Sequence, residues 1–69
     1  MAERVYKVIQ LVGTSTESWE KAAAAAVAGA KESVRDRRIA EVDKLDLIIE
    51  DGSVTAYRAK VNVSFKYED

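Results

Sequence analysis

The sequence predicts an α+β fold of order β-α-β-β, a three-stranded antiparallel sheet with one helix covering one face. Three observations predict it. Thr55 to Tyr67, TAYRAKVNVSFKY, alternates apolar and polar residues along its whole length. That period of two marks a strand with one face buried and one wet. Upstream, Trp19, Ala23, Ala26, Val27, Ala30 and Val34 recur at three- and four-residue spacing, the mark of an amphipathic helix. Between two strand-like stretches stands Asp51-Gly52-Ser53, a hairpin signal.

The first strand is expected over residues 4–12, RVYKVIQLV, with Val5, Lys7, Ile9 and Leu11 on one side and Tyr6, Val8, Gln10 and Val12 on the other. Gly13 permits a turn into the helix. Thr14 with Glu17 has capping-box spacing, and Ser15 is the alternative cap. A glycine followed by hydroxyls also suggests a phosphate cradle, but the P-loop lysine and second glycine are missing, so a capped turn is the reading kept. The helix is expected over residues 16–34, with Ala22 to Ala26 as its strongest helix-forming run. Glu17 and Lys21 form a favourable i,i+4 pair. Trp19 lies on the apolar stripe and reads as packing.

Asp36-Arg37-Arg38 leads into a second strand, Ile39 to Glu50. Strict alternation puts Ile39, Glu41, Asp43, Leu45, Leu47 and Ile49 on one side, and Ala40, Val42, Lys44, Asp46, Ile48 and Glu50 on the other. The hairpin pairs strands two and three antiparallel; if strand three is central, strand one pairs along its other side, also antiparallel. One helix covers one face of such a sheet. The other still carries apolar residues from strands one and two, and an apolar patch of that kind implies a partner.

Composition narrows the function. With 69 residues the chain is one domain, residues 1–69. A domain this small buries only about 60% of its unfolded surface, and disulfides, a metal or self-association usually compensate. The sequence has no Cys and no His, which removes disulfides and thiolate or imidazole metal sites and leaves homo-oligomerisation. A lack of Cys fits a reducing cytoplasm. The net charge is −1 with the signs interleaved, so no basic nucleic-acid face is expected. No stretch is long and apolar enough to span a membrane, and the N-terminus enters strand pattern without a signal-peptide core.

Without His or Cys, a Ser–His triad and a thiolate nucleophile are both excluded. The expectation is a binding or assembly protein, not an enzyme. Glu41, Asp43 and Asp46 on strand two are oxygen ligands suited to Ca²⁺ or Mg²⁺, though their spacing matches no EF-hand loop, and solvated strand carboxylates are the competing reading.

The run VYKVIQLVGTSTESWEKAAAAAV, the second-strand opening Ala40-Glu41-Val42 and the terminal YRAKVNVSFKYED resemble the dodecin family over nearly the whole chain, from Val5 to Asp69. The resemblance implies a hollow homododecamer that binds and stores small ligands. Typical members hold flavins, riboflavin or FMN, between subunits, and some carry coenzyme A or metal ions. The positions matching the flavin site are Ile39, Ala40 and Arg58. In flavin binders a stacking Trp stands where this chain has Ile39, and a hydrogen-bonding Gln where it has Arg58. Arg58 donates to ring carbonyls but accepts nothing from a ring N–H, and pairing with Glu41 across an interface is its other expected use. Ser18-Trp19-Glu20 and the patterns around Tyr57 to Lys66 are similar to a calcium-associated subgroup. The alternative to flavin sequestration is therefore a flavin-independent assembly, calcium-binding or structural, with Glu17, Glu41, Asp43 and Asp46 as metal candidates.

Overall fold

A computed structural model describes residues 5–30 and 39–66. The elements follow in the expected order: β1 (Tyr6–Ser15), α1 (Trp19–Gly29), β2 (Ile39–Glu50) and β3 (Ser53–Lys66). The sheet is antiparallel in the order β1-β3-β2. The long alternating strand is thus central. Asp51 and Gly52 close the β2–β3 hairpin with φ of 52° and 78°, the left-handed pair that a two-residue primed turn requires.

The core lies between α1 and the β1–β3 half of the sheet. Ala59, Val61, Val63 and Phe65 supply the β3 side, and Ala22, Ala26 and Ala30 the helix side. Ile9 and Leu11 pack against this cluster from β1. The expected sorting of β1 and β3 faces is therefore correct over the described residues. The helix stripe is rotated from the expected one. Ala22, Ala26 and Ala30 form the buried line, while Trp19 and Val27 lie toward its flank and stay exposed. Close approach selects alanine here, because a larger side chain would push the helix off the strands. The expected stripe residue Val34 lies outside the described residues.

Gly13 belongs to β1 and makes no turn. It pairs with Ala59 and is buried. A Cβ placed there would collide with the carbonyl oxygen of Ala22 and come within 2.7 Å of the Ala26 nitrogen. The glycine is needed for helix–strand contact, and β1 continues to Ser15. The helix consequently starts later than expected. Its N-cap is Ser18, whose Oγ accepts from the Lys21 backbone N–H at 3.1 Å. Thr14 is a strand residue, and Ser15 Oγ accepts from the Glu17 backbone N–H at 2.9 Å, bracing the connection.

In β2 the strict alternation fails. A register shift between Val42 and Lys44 leaves Asp43 as a bulge, and a bulge reverses the facing of everything beyond it. Ala40, Val42, Leu45 and Leu47 therefore share the helix side, opposite Val63, Val61, Ala59 and Tyr57. Ile39, Glu41, Lys44 and Asp46 share the outer side, opposite Ser64, Asn62, Lys60 and Arg58.

The helix lies over β1 and β3 and barely reaches β2. Val42, Leu45 and Leu47 stay exposed on the helix side, and Ile39 on the outer side. The chain is elongated, 55 × 19 × 15 Å with a radius of gyration of 14.5 Å. A compact domain of this length would have about 11 Å. Strict alternation puts apolar residues on both faces of β2; the bulge gathers Val42, Leu45 and Leu47 on the helix side and leaves Ile39 exposed on the outer side.

Candidate functional site

The outer face of the sheet carries most of the candidate residues. Near its β2 start is a shallow pocket of about 330 Å³ lined by Val8, Ile39, Glu41, Asn62 and Ser64. Ile39 is 65% exposed within it. Ser64 Oγ donates to the Ile39 carbonyl at 3.3 Å. Beside the pocket, Gln10 Nε2 donates to Asn62 Oδ1 at 3.1 Å and to Asp43 Oδ2 at 3.3 Å. That second bond puts the Asp43 carboxylate over the outer face, the side strict alternation also gives it. Ala40 faces the other way, paired with Val63 on the helix side.

Arg58 stands at the far end of the same face. Its Nε and Nη2 donate to the two carboxylate oxygens of Asp46, each at 2.8 Å. This fork-to-carboxylate geometry is the strong form of an ion pair. The hydrogen bond from Arg58 holds the Asp46 carboxyl below its ordinary value against an opposing desolvation, and the Coulombic attractions of Arg58 and of Lys60 add to it. Asp46 in turn raises Arg58. Both side chains remain about 40% exposed, 38% for Arg58 and 44% for Asp46, so solvent and salt screen the pair and its worth lies in orientation. Within this chain Arg58 pairs with Asp46, not with Glu41. The Asp46 carbonyl accepts from the Trp19 indole N–H at 3.1 Å on the opposite face. Trp19 meets Tyr57 edge-to-face at 5.3 Å. One residue thereby ties β3, β2 and the start of α1.

Ile39 and Arg58 are not brought together in one chain. Ser64, the partner of Ile39, is six residues from Arg58 along β3, about 20 Å at strand rise. The carboxylates are similarly dispersed. Glu17 pairs with Lys21 beside the helix start, Asp46 is held by Arg58, Asp43 accepts from Gln10, and Glu41 lines the pocket. No three acidic side chains among the described residues converge as a metal site. Gln10 and Asn62 went unremarked in the sequence as site residues. Their only signal there is that both fall on the polar-bearing sides of neighbouring strands.

A second groove, about 520 Å³, runs between α1 and β2. Trp19, Glu20, Ala23, Val42 and Leu45 line it.

The dodecin family model matches residues 5–68. The chain belongs to the dodecin family. It is 50% identical over 62 residues to a calcium dodecin of Mycobacterium tuberculosis, covering 90% of this chain and 87% of the relative. It is 36% identical over 66 residues to a dodecin of Thermus thermophilus, covering 96% of each. Among solved structures, dodecin from Streptomyces coelicolor superimposes with a TM-score of 0.84 at 30% identity, covering 100% of this chain and 99% of that one. The crystal structure of the M. tuberculosis calcium dodecin, described as calcium-chelating with a novel calcium-binding site, matches with a TM-score of 0.77 at 49% identity, covering 93% and 91%.

Proposed function

We infer that the whole chain acts as one domain, a subunit of a self-assembling dodecin shell, a homododecamer, that binds and stores a small ligand in the cytoplasm and catalyses no reaction. The observation that carries this reading is β2, whose Val42, Leu45 and Leu47 stand exposed on the helix side and Ile39 on the outer side of an elongated subunit with a small core. Leu45→Glu tests it. Leu45 is half-exposed in the subunit, so the substitution leaves the chain foldable while placing a charge in a dry contact. Native mass spectrometry is expected to show twelve subunits for the parent and smaller species for the variant. A variant that still assembles as twelve overturns the assignment of β2 to the interface.

For the cargo we favour a divalent cation, calcium, held by outer-face carboxylates from more than one subunit. Two features support it: the 50% identity to a calcium dodecin, and Glu41, which faces the outer pocket and makes no ion pair with another described residue. Calcium takes six to eight oxygens, more than one chain brings together. A calcium-dependent rise in melting temperature, absent in Glu41→Gln, is the expected result. No response in the parent defeats the calcium reading.

Flavin storage is the second reading, supported by the Ile39 pocket, whose size and apolar floor suit the edge of a planar ring. Arg58 weighs against it, because its donors already serve Asp46. The double variant Ile39→Trp, Arg58→Gln is expected to quench FMN or riboflavin fluorescence at micromolar protein. Absence of quenching shows that these positions do not form a ring site.

A further inference from the structure

We propose that Asp51, at the tip of the β2–β3 hairpin, is a site of isoaspartate formation in the folded protein, a slow covalent modification that needs only water as co-reactant. The chemistry requires an aspartate followed by an unshielded backbone nitrogen. Gly52 supplies it, since nothing lies within 4 Å of the position a Cβ would take there. Glu50 and Ser53 are the pair that closes the turn, so the Gly52 N–H stands outside the ladder. Asp51 and Gly52 are both exposed, and the Asp51 carboxylate makes no ion pair among the described residues. In the reaction the Gly52 nitrogen attacks the carbon of the Asp51 side-chain carboxyl. The nitrogen gives up its proton and the carbon its hydroxyl; these leave together as water, and a cyclic imide closes. Water then opens the imide. Opening at the side-chain carbonyl restores aspartate. Opening at the main-chain carbonyl leaves the chain running through the side chain, longer by a methylene.

Ring closure turns the Asp51–Gly52 peptide group towards the side chain, out of the orientation that the closed primed turn gives it, so the tip must open. The ladder confines that opening to the tip. Ile48 pairs with Ala56 and Ile49 with Val54, which leaves Thr55 as a bulge. The Thr55 hydroxyl donates to the Ile48 carbonyl at 3.3 Å and pins the sheet side of the bulge. Beyond it only Ile49–Val54 and Glu50–Ser53 hold the tip, and Ile49 and Val54 are exposed. Short segments with little packing open at low free energy while the rest stays folded.

The test uses the full chain in its native assembly, incubated at neutral pH beside the same chain unfolded in urea. Peptide mapping with a protease that cuts before aspartate but not before isoaspartate reads residue 51. A tip open about 10% of the time keeps about one-tenth of the unfolded rate, so conversion in the assembly within about tenfold of the urea sample is expected. Asp51→Asn closes the same ring with ammonia as the leaving group in place of water, and is expected to convert faster than the parent in the assembly, with ammonia released. Asp46, paired in the ladder and bound by Arg58, is expected to remain aspartate. Conversion slowed by more than about tenfold against urea, in both the parent and Asp51→Asn, means that the folded tip stays closed and overturns the proposal. Conversion at Asp46 as fast as at Asp51 overturns it too, because the hairpin tip would then have no special part.

Discussion

Gly13→Ala is the sharpest probe of how the helix meets the sheet. The added methyl would meet backbone atoms of Ala22 and Ala26, with the Ala26 nitrogen only 2.7 Å away and its Cβ 3.0 Å away. Backbone does not swing aside as a side-chain tip does, so α1 must slide or lift from β1. Overpacking of this kind costs about 1–3 kcal/mol. The smaller conformational freedom of alanine in the unfolded chain returns about 0.4–1 kcal/mol. A net loss of about 1–2 kcal/mol is expected, and each kcal/mol lowers the melting temperature of a domain this size by about 4–8 °C. Gly29→Ala is the internal control. It ends the helix with nothing within 4 Å of its would-be Cβ, and alanine there is expected to stabilise by about 0.5–1 kcal/mol. Urea denaturation at one fixed protein concentration measures both variants, since assembly makes apparent stability concentration-dependent. A Gly13→Ala variant as stable as the parent, at unchanged denaturant slope, would refute the close-approach explanation.

Two further outcomes follow from the same geometry. Asp46 has its carboxyl lowered by Arg58, so its contribution is present above the ordinary carboxylate value and disappears as pH falls through the lower folded value. Asp46→Asn is expected to flatten the acid limb of stability below about pH 4, with Trp19 emission as the readout. An unchanged acid limb means the pair does not act in solution. Ser18→Ala removes the hydroxyl that caps α1 and is expected to cost about 1 kcal/mol, whereas Thr14→Ala, at the site of the expected capping box, should cost less; thermal melts that reverse this order would return the cap to Thr14.

Much of this protein was legible from local pattern. That β3 is a long strand with one buried face followed from Thr55 to Tyr67, because a period of two over many residues has one structural solution. The hairpin at Asp51-Gly52 followed from turn chemistry. Tertiary structure decided the rest, for reasons that no periodicity contains. The Asp43 bulge is a property of the β2–β3 ladder, and it alone turned Lys44, Leu45, Asp46 and Leu47 to faces opposite those of strict alternation. The role of Gly13 emerged only once α1 was placed against β1, since a turn glycine and a close-contact glycine read alike in sequence. The helix stripe settled on Ala22, Ala26 and Ala30 because the depth of contact excludes anything larger, a constraint set by the partner strands. Arg58 met Asp46 because register put them opposite each other, and Ile39 stayed about 20 Å from it along the same ladder.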